Sequence, residues 1–175
     1  NSFKISYLII YLAHKMITKS DWGQSEHLKK ISLAAIFHDI FLKNDQHLLI
    51  NTTEEMYLHN LSREEIELLQ GHAQKAAKFI LLYPDLPIGT ENIILHHHGD
   101  SNGQGFSTKL SSRISPLDLV FITAEEMAVA ILKQFNQGRE IKMTELIDQI
   151  ESKYKDGTIA KATILLREVL KEKEK

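Results

Sequence analysis

Residues 61–83 read LSREEIELLQGHAQKAAKFILLY, and this stretch decides the fold class. Ser62 is followed three residues later by Glu65. In that pairing each side chain accepts a hydrogen bond from the other residue's backbone N–H at a helix start. Apolar residues then recur at helical spacing, and Pro84 closes the run, since proline cannot continue a helix. His72 falls within it beside the apolar Leu68, Leu69 and Ala76.

The same period extends through the rest of the chain. ISYLIIYLAHKMI (5–17) is apolar on most sides, as a helix buried on more than one face would be, and SEHLKKISLAAIFHDIF (25–41) resumes helical spacing after the KSDWG break. PIGTENIILHHH (87–98) reads as a helix with Pro87 near its start and Gly99 just past its end. SPLDLVFITAEEMAVAILKQF (115–135) is a long apolar helix; KMTELIDQIESKY and TIAKATILLREVLKEKEK are amphipathic, the last with a Lys/Glu-rich tail expected to be solvated. No alternating strand pattern of useful length and no internal repeat is present. The expectation is an all-α helical bundle forming one domain over residues 1–175.

Composition narrows the chemistry. With 175 residues, 43% hydrophobic and 25% charged, the chain has the make-up of one core-forming domain. It contains no cysteine, which excludes disulfides, thiol nucleophiles and thiolate metal sites. Any metal must therefore sit on histidine and carboxylate. A formal net charge of −2 without a long basic run argues against general nucleic-acid binding. No apolar run reaches the ~20 residues of a membrane span, and the first residues lack the ordered regions of a signal peptide, so a cytoplasmic location is expected. The chain begins with Asn rather than Met, and we expect it to be part of a longer protein with further domains.

Nine histidines are the compositional oddity. His38-Asp39 follows the apolar SLAAIF, placing an imidazole and an acid at the end of a buried helix, where burial of a charge requires a partner. A metal ion is one such partner; a capping Asp beside a core histidine is the plainer reading. His72 alone would be read as a core histidine. ILHHHGDSNGQGF (94–106) ends a helix with three imidazoles and enters a glycine loop. Adjacent helical residues point about 100° apart, so two neighbouring histidines at a helix end can address two metals, or one metal and a substrate.

Taken together, AAIFHDI, LSREEIELLQGHAQKAAKFI, ILHHHGDSNGQGF and ISPLDLVFITAEEMAVAI resemble the HD superfamily of metal-dependent phosphohydrolases, specifically the HD-GYP branch associated with cyclic di-GMP hydrolysis. In that branch an HD pair is followed by a helix ending in His, a double His, a DGxGYP loop and a helix with a metal-binding Asp. The resemblance spans about residues 6–170. It implies an HD-domain bundle with His38, Asp39, His72, His97 and His98 as metal ligands and Asp39 bridging two divalent ions, iron or manganese ahead of zinc. Glu126 falls where the last ligand Asp is expected, with Glu125 the alternative if one residue is deleted. A solvent-facing acidic pair is the competing reading for both. Asn102, Gly103, Gly105 and Phe106 lie on the substrate loop, and Arg139 is the surviving phosphate contact. The implied activity is hydrolysis of cyclic di-GMP or another phosphoester, by water activated between the ions.

Departures from the pattern imply an alternative. Ser6 stands where the family has its first-helix His, and His14 is the only histidine on that helix. HDxGK is HDIFLK here, placing Lys43 one position late; the Tyr and Pro of GYP are Phe106 and Ser107. These changes suit a catalytically degenerate domain that holds a metal or nucleotide as a signalling module.

Overall fold

The computed structural model describes residues 2–21, 23–154 and 157–171. The Lys/Glu-rich tail continues into residues 172–175, which lie outside the described residues, as does Trp22 of the KSDWG break. The described residues are all helical in their regular structure: α1 (Ser2–Lys19), α2 (Ser25–Phe37), α3 (Thr53–Leu58), α4 (Arg63–Ile80), α5 (Thr90–His96), α6 (Pro116–Asn136), α7 (Met143–Lys153) and α8 (Ala160–Lys171), with a 3-10 turn at His47–Leu49.

Local sequence explains the boundaries. α4 carries the expected capping box, Ser62 accepting from the Glu65 N–H and Glu65 from the Ser62 N–H. α6 starts with a second box, Ser115 with Asp118, and Pro116 in its first turn, where proline's missing N–H costs nothing. α5 begins at Thr90 rather than near Pro87, because Gly89 takes a left-handed φ of 94° and redirects the chain into the helix. α3 and the 3-10 turn are too short for periodicity to mark; Thr52 caps α3 by accepting from the Glu55 N–H at 3.1 Å.

α6 is the central helix. Val120, Phe121, Ile122, Ala124, Met127 and Ala128 are all buried on it, so it is enclosed on most sides, with α1, α7, α8 and α5 against it. α1 contributes Ile5, Ile9, Leu12, Ala13, Met16 and Ile17 to the same core and also packs on α2 and α8. On the other flank α5 lies between α2, α4 and α6. This arrangement brings the C-terminal ends of α2 and α5, the middle of α4 and the middle of α6 to one place.

Candidate metal centre

His38 is the C-cap of α2, and its Nδ1 lies 3.1 Å from the Ala35 carbonyl oxygen. His72 on α4 and His97 at the end of α5 repeat the device one turn back on their own helices, Nδ1 lying 2.6 Å from the Leu69 and Ile94 carbonyl oxygens respectively. A carbonyl only accepts, so each Nδ1 carries a proton, and wherever such a ring is neutral its Nε2 lone pair points away from its helix. This is the outer hydrogen bond that metal-ligating histidines make.

Those lone pairs converge. The Nε2 atoms of His72 and His97 are 3.0 Å apart, and those of His72 and His98 are 3.1 Å apart. Two neutral rings with Nδ1 protonated cannot hydrogen-bond through facing Nε2 atoms; the pair is repulsive unless a cation lies between them. Nitrogens each held about 2.0–2.1 Å from one ion stand about 3 Å apart around it, so the spacing fits a shared metal. His72, His97 and His98 form a group whose ligand atoms all lie within 4.8 Å of one another.

Asp39 closes one side. Its Oδ1 lies 3.2 Å from His72 Nε2 and 3.9 Å from His97 Nε2, while Oδ2 lies 3.3 Å from His38 Nε2. One carboxylate thus touches both the three-histidine group and His38. Glu125 reaches in from α6, its Oε1 at 4.0 Å from Nε2 of both His38 and His97 and its buried Oε2 without a hydrogen-bond partner. His38 Nε2 and Asp39 Oδ1 are also buried without a hydrogen bond. Orphaned buried polar atoms are costly, and a metal ion would satisfy this set together. Phe121, fully buried, forms an apolar floor, its ring edge-on to His38 at 5.5 Å.

The electrostatics suit ligands. Burial holds His97 well below the ordinary imidazole range, reinforced by His72 and His38. Burial does the same for His98, reinforced by His97 and His72, so both stay neutral. For Asp39, burial would raise the carboxyl, but the close approach of the His38 and then the His72 imidazole outweighs it and holds it well below its usual value. Burial also opposes protonation of His38, yet Asp39, with help from Glu125 and the Ala35 carbonyl, lifts it to about 9. Glu125 is pushed well above the carboxylate range by burial, then by Asp39 and Glu126.

Of the residues singled out in the sequence, His38, Asp39, His72, His97 and His98 come together. Glu126 does not join them. Its Oε1 pairs with Lys153 and accepts from the Tyr154 hydroxyl at 2.9 Å, and its Oε2 accepts from Asn51 Nδ2 at 2.8 Å. The α6 carboxylate at the cluster is Glu125, because successive helical residues diverge by about 100°. Phe106 packs on His98 with ring centroids 4.3 Å apart. Gly103 (φ 67°) and Gly105 (φ 66°) shape the loop, and the Gly105 N–H donates to the Gln70 carbonyl at 2.9 Å, tying it to α4. Asn102 is held through its own N–H to Asp100 Oδ1 at 2.7 Å. Arg139 lies exposed past the end of α6, about 16 Å of helix rise beyond Glu125, and is not brought to the cluster. His14 bonds Ser32 Oγ at 2.9 Å between α1 and α2, serving packing there.

Lys153 went unread in the sequence. It sits on α7, pairs with Glu126, donates to the Asn51 carbonyl at 2.9 Å, and its charge is felt at His98. One lysine in an amphipathic helix carries no local signal of this. Comparison of the chain with protein-family models, curated proteins and solved structures gave no match. The HD resemblance therefore rests on the residues themselves.

Proposed function

We propose that this chain is a metal-dependent phosphohydrolase of the HD type, acting on cyclic di-GMP or another phosphoester. The observation that carries the proposal is the convergence of three Nε2 atoms beside Asp39, each of the two closest rings fixed by a backbone carbonyl behind it. In it, His72, His97, His98 and Asp39 hold a divalent transition metal, and His38 with Glu125 forms the adjoining half of a two-ion site. A bound ion supplies Lewis acidity toward a phosphoryl oxygen and lowers the pKa of water.

The protein's own contribution is electrostatic. The depressed His97 and His98 keep their lone pairs free at neutral pH. Neutral imidazoles add no negative charge, and Asp39 alone of the core set is anionic, so most of the positive charge is left for a phosphoester. Burial pushes the Glu125 carboxyl well above its ordinary range, and a cation beside it would favour the carboxylate form, offering a second anionic donor.

Packing of Phe106 on His98 favours a second reading, a metal-holding signalling module without turnover, since an apolar ring stands where the family's tyrosine offers a hydroxyl. Elemental analysis of tag-free protein reconstituted with iron, manganese or zinc, followed by a phosphoester panel including cyclic di-GMP and bis(p-nitrophenyl) phosphate, separates these readings. Bound metal with turnover supports the phosphohydrolase, and bound metal with no turnover supports the module. Failure to retain any metal after reconstitution overturns both.

A further inference from the structure

The third histidine of the run faces another part of the molecule. His96 is buried, and its Nδ1 lies 3.0 Å from Asp118 Oδ2, an oxygen that also accepts from the Ser115 N–H at 2.8 Å. The carboxylate fixes the Nδ1–H tautomer, leaving Nε2 as the free acceptor. His96 and Asp118 lie on the wall of a cavity of about 770 Å³ formed by α2, α5 and the start of α6. That volume is in the range of small-molecule sites.

Lys30 and Arg113 also line this cavity, with Ile93 and Leu117 as apolar wall. Lys30 pairs with the largely exposed Glu26 at 2.9 Å, a surface pair of the weakly held i,i+4 kind. No carboxylate among the described residues is paired with the Arg113 guanidinium. Asp118, the acid in the wall, is engaged by His96 and the α6 cap. The cavity therefore combines cationic groups, one oriented imidazole acceptor and apolar surface, and none of His72, His97 and His98 lines it.

We propose that this cavity is a binding site for a small organic oxyanion, with Lys30 and Arg113 holding the anionic group, Ile93 and Leu117 packing its apolar body, and His96 Nε2 accepting from a donor on the ligand. The shared chemistry is a phosphoryl or carboxylate group on a compact apolar frame. This site does not depend on the metal centre being catalytic.

The test is titration calorimetry of chelator-treated, metal-free protein at low ionic strength with phenyl phosphate, benzoate and inorganic phosphate. Binding of phenyl phosphate or benzoate at least tenfold tighter than inorganic phosphate is expected, and the tighter of the two identifies the anion. The double variant Lys30→Glu/Arg113→Glu, whose side chains lie outside the core, should weaken that binding at least tenfold while melting within a few degrees of the parent. His72→Ala should leave it unchanged. Absence of binding by both organic probes, binding indifferent to the Lys30/Arg113 charge reversal, or binding lost with His72→Ala overturns the proposal.

Discussion

Asp39→Asn in metal-free protein should remove a specific, pH-dependent part of the stability. His38 is only 2% exposed and is lifted to about 9, against burial, chiefly by the Asp39 carboxylate. An unfolded histidine titrates near about 6.5, so the raised folded value contributes on the order of 2–3 kcal/mol at pH 7 by proton linkage. Because the folded pKa is raised, this stability is complete below about pH 6.5 and is lost as pH rises through about 9. Asparagine keeps the shape but removes the charge, leaving burial to dominate His38. For a domain of this size, a loss on that order corresponds to a drop of about 5–10 °C in melting temperature. The assay is thermal unfolding by circular dichroism with chelator present, from pH 6.5 to pH 9.5. The wild-type curve should fall across that window and converge on the variant's, which should be flatter. Parallel curves, or a difference under about 1 kcal/mol at pH 7, would refute the ion-pair account of the apo cluster.

Glu125→Gln should weaken metal binding about tenfold or more with little change in apo stability, since burial already pushes the Glu125 carboxyl toward its protonated form. Glu126→Gln should do the reverse, lowering the melting temperature by loosening the Lys153, Tyr154 and Asn51 contacts while metal content, measured by elemental analysis, stays unchanged. Gly103→Ala places a Cβ 2.6 Å from Leu95 Cδ1 at a φ of 67° and should cost about 1–3 kcal/mol in urea unfolding. Gly105→Ala, with nothing within 4 Å of the added carbon, should cost less; equal losses would show that the close approach at Gly103 is unimportant. Phe106→Tyr, which restores a hydroxyl beside His98, should improve cyclic di-GMP binding or turnover without altering metal content, read by calorimetry and product chromatography.

The amino-acid sequence by itself determined that the chain is helical and where its main helices begin. Ser62 with Glu65, and Ser115 with Pro116, act within one turn, so the information is local. His38, Asp39, His72, His97 and His98 stood out as a set only through the resemblance to the HD superfamily; taken one helix at a time, His72 reads as a core histidine and Asp39 as a cap. Tertiary structure alone decided which neighbours share an environment. Glu125 and Glu126 are the same residue type at adjacent positions, and only the rotation of α6 against α2 and α7 turns one toward His38 and the other toward Lys153. Asp118 was singled out by nothing in the sequence, yet packing of α5 against α6 makes it the partner of His96. Arg139 could be matched by counting along the chain, but helix length carries it away from the cluster. Capping and periodicity depend on residues a turn apart; the direction of a buried charge depends on how whole helices rotate against one another, which no local pattern records.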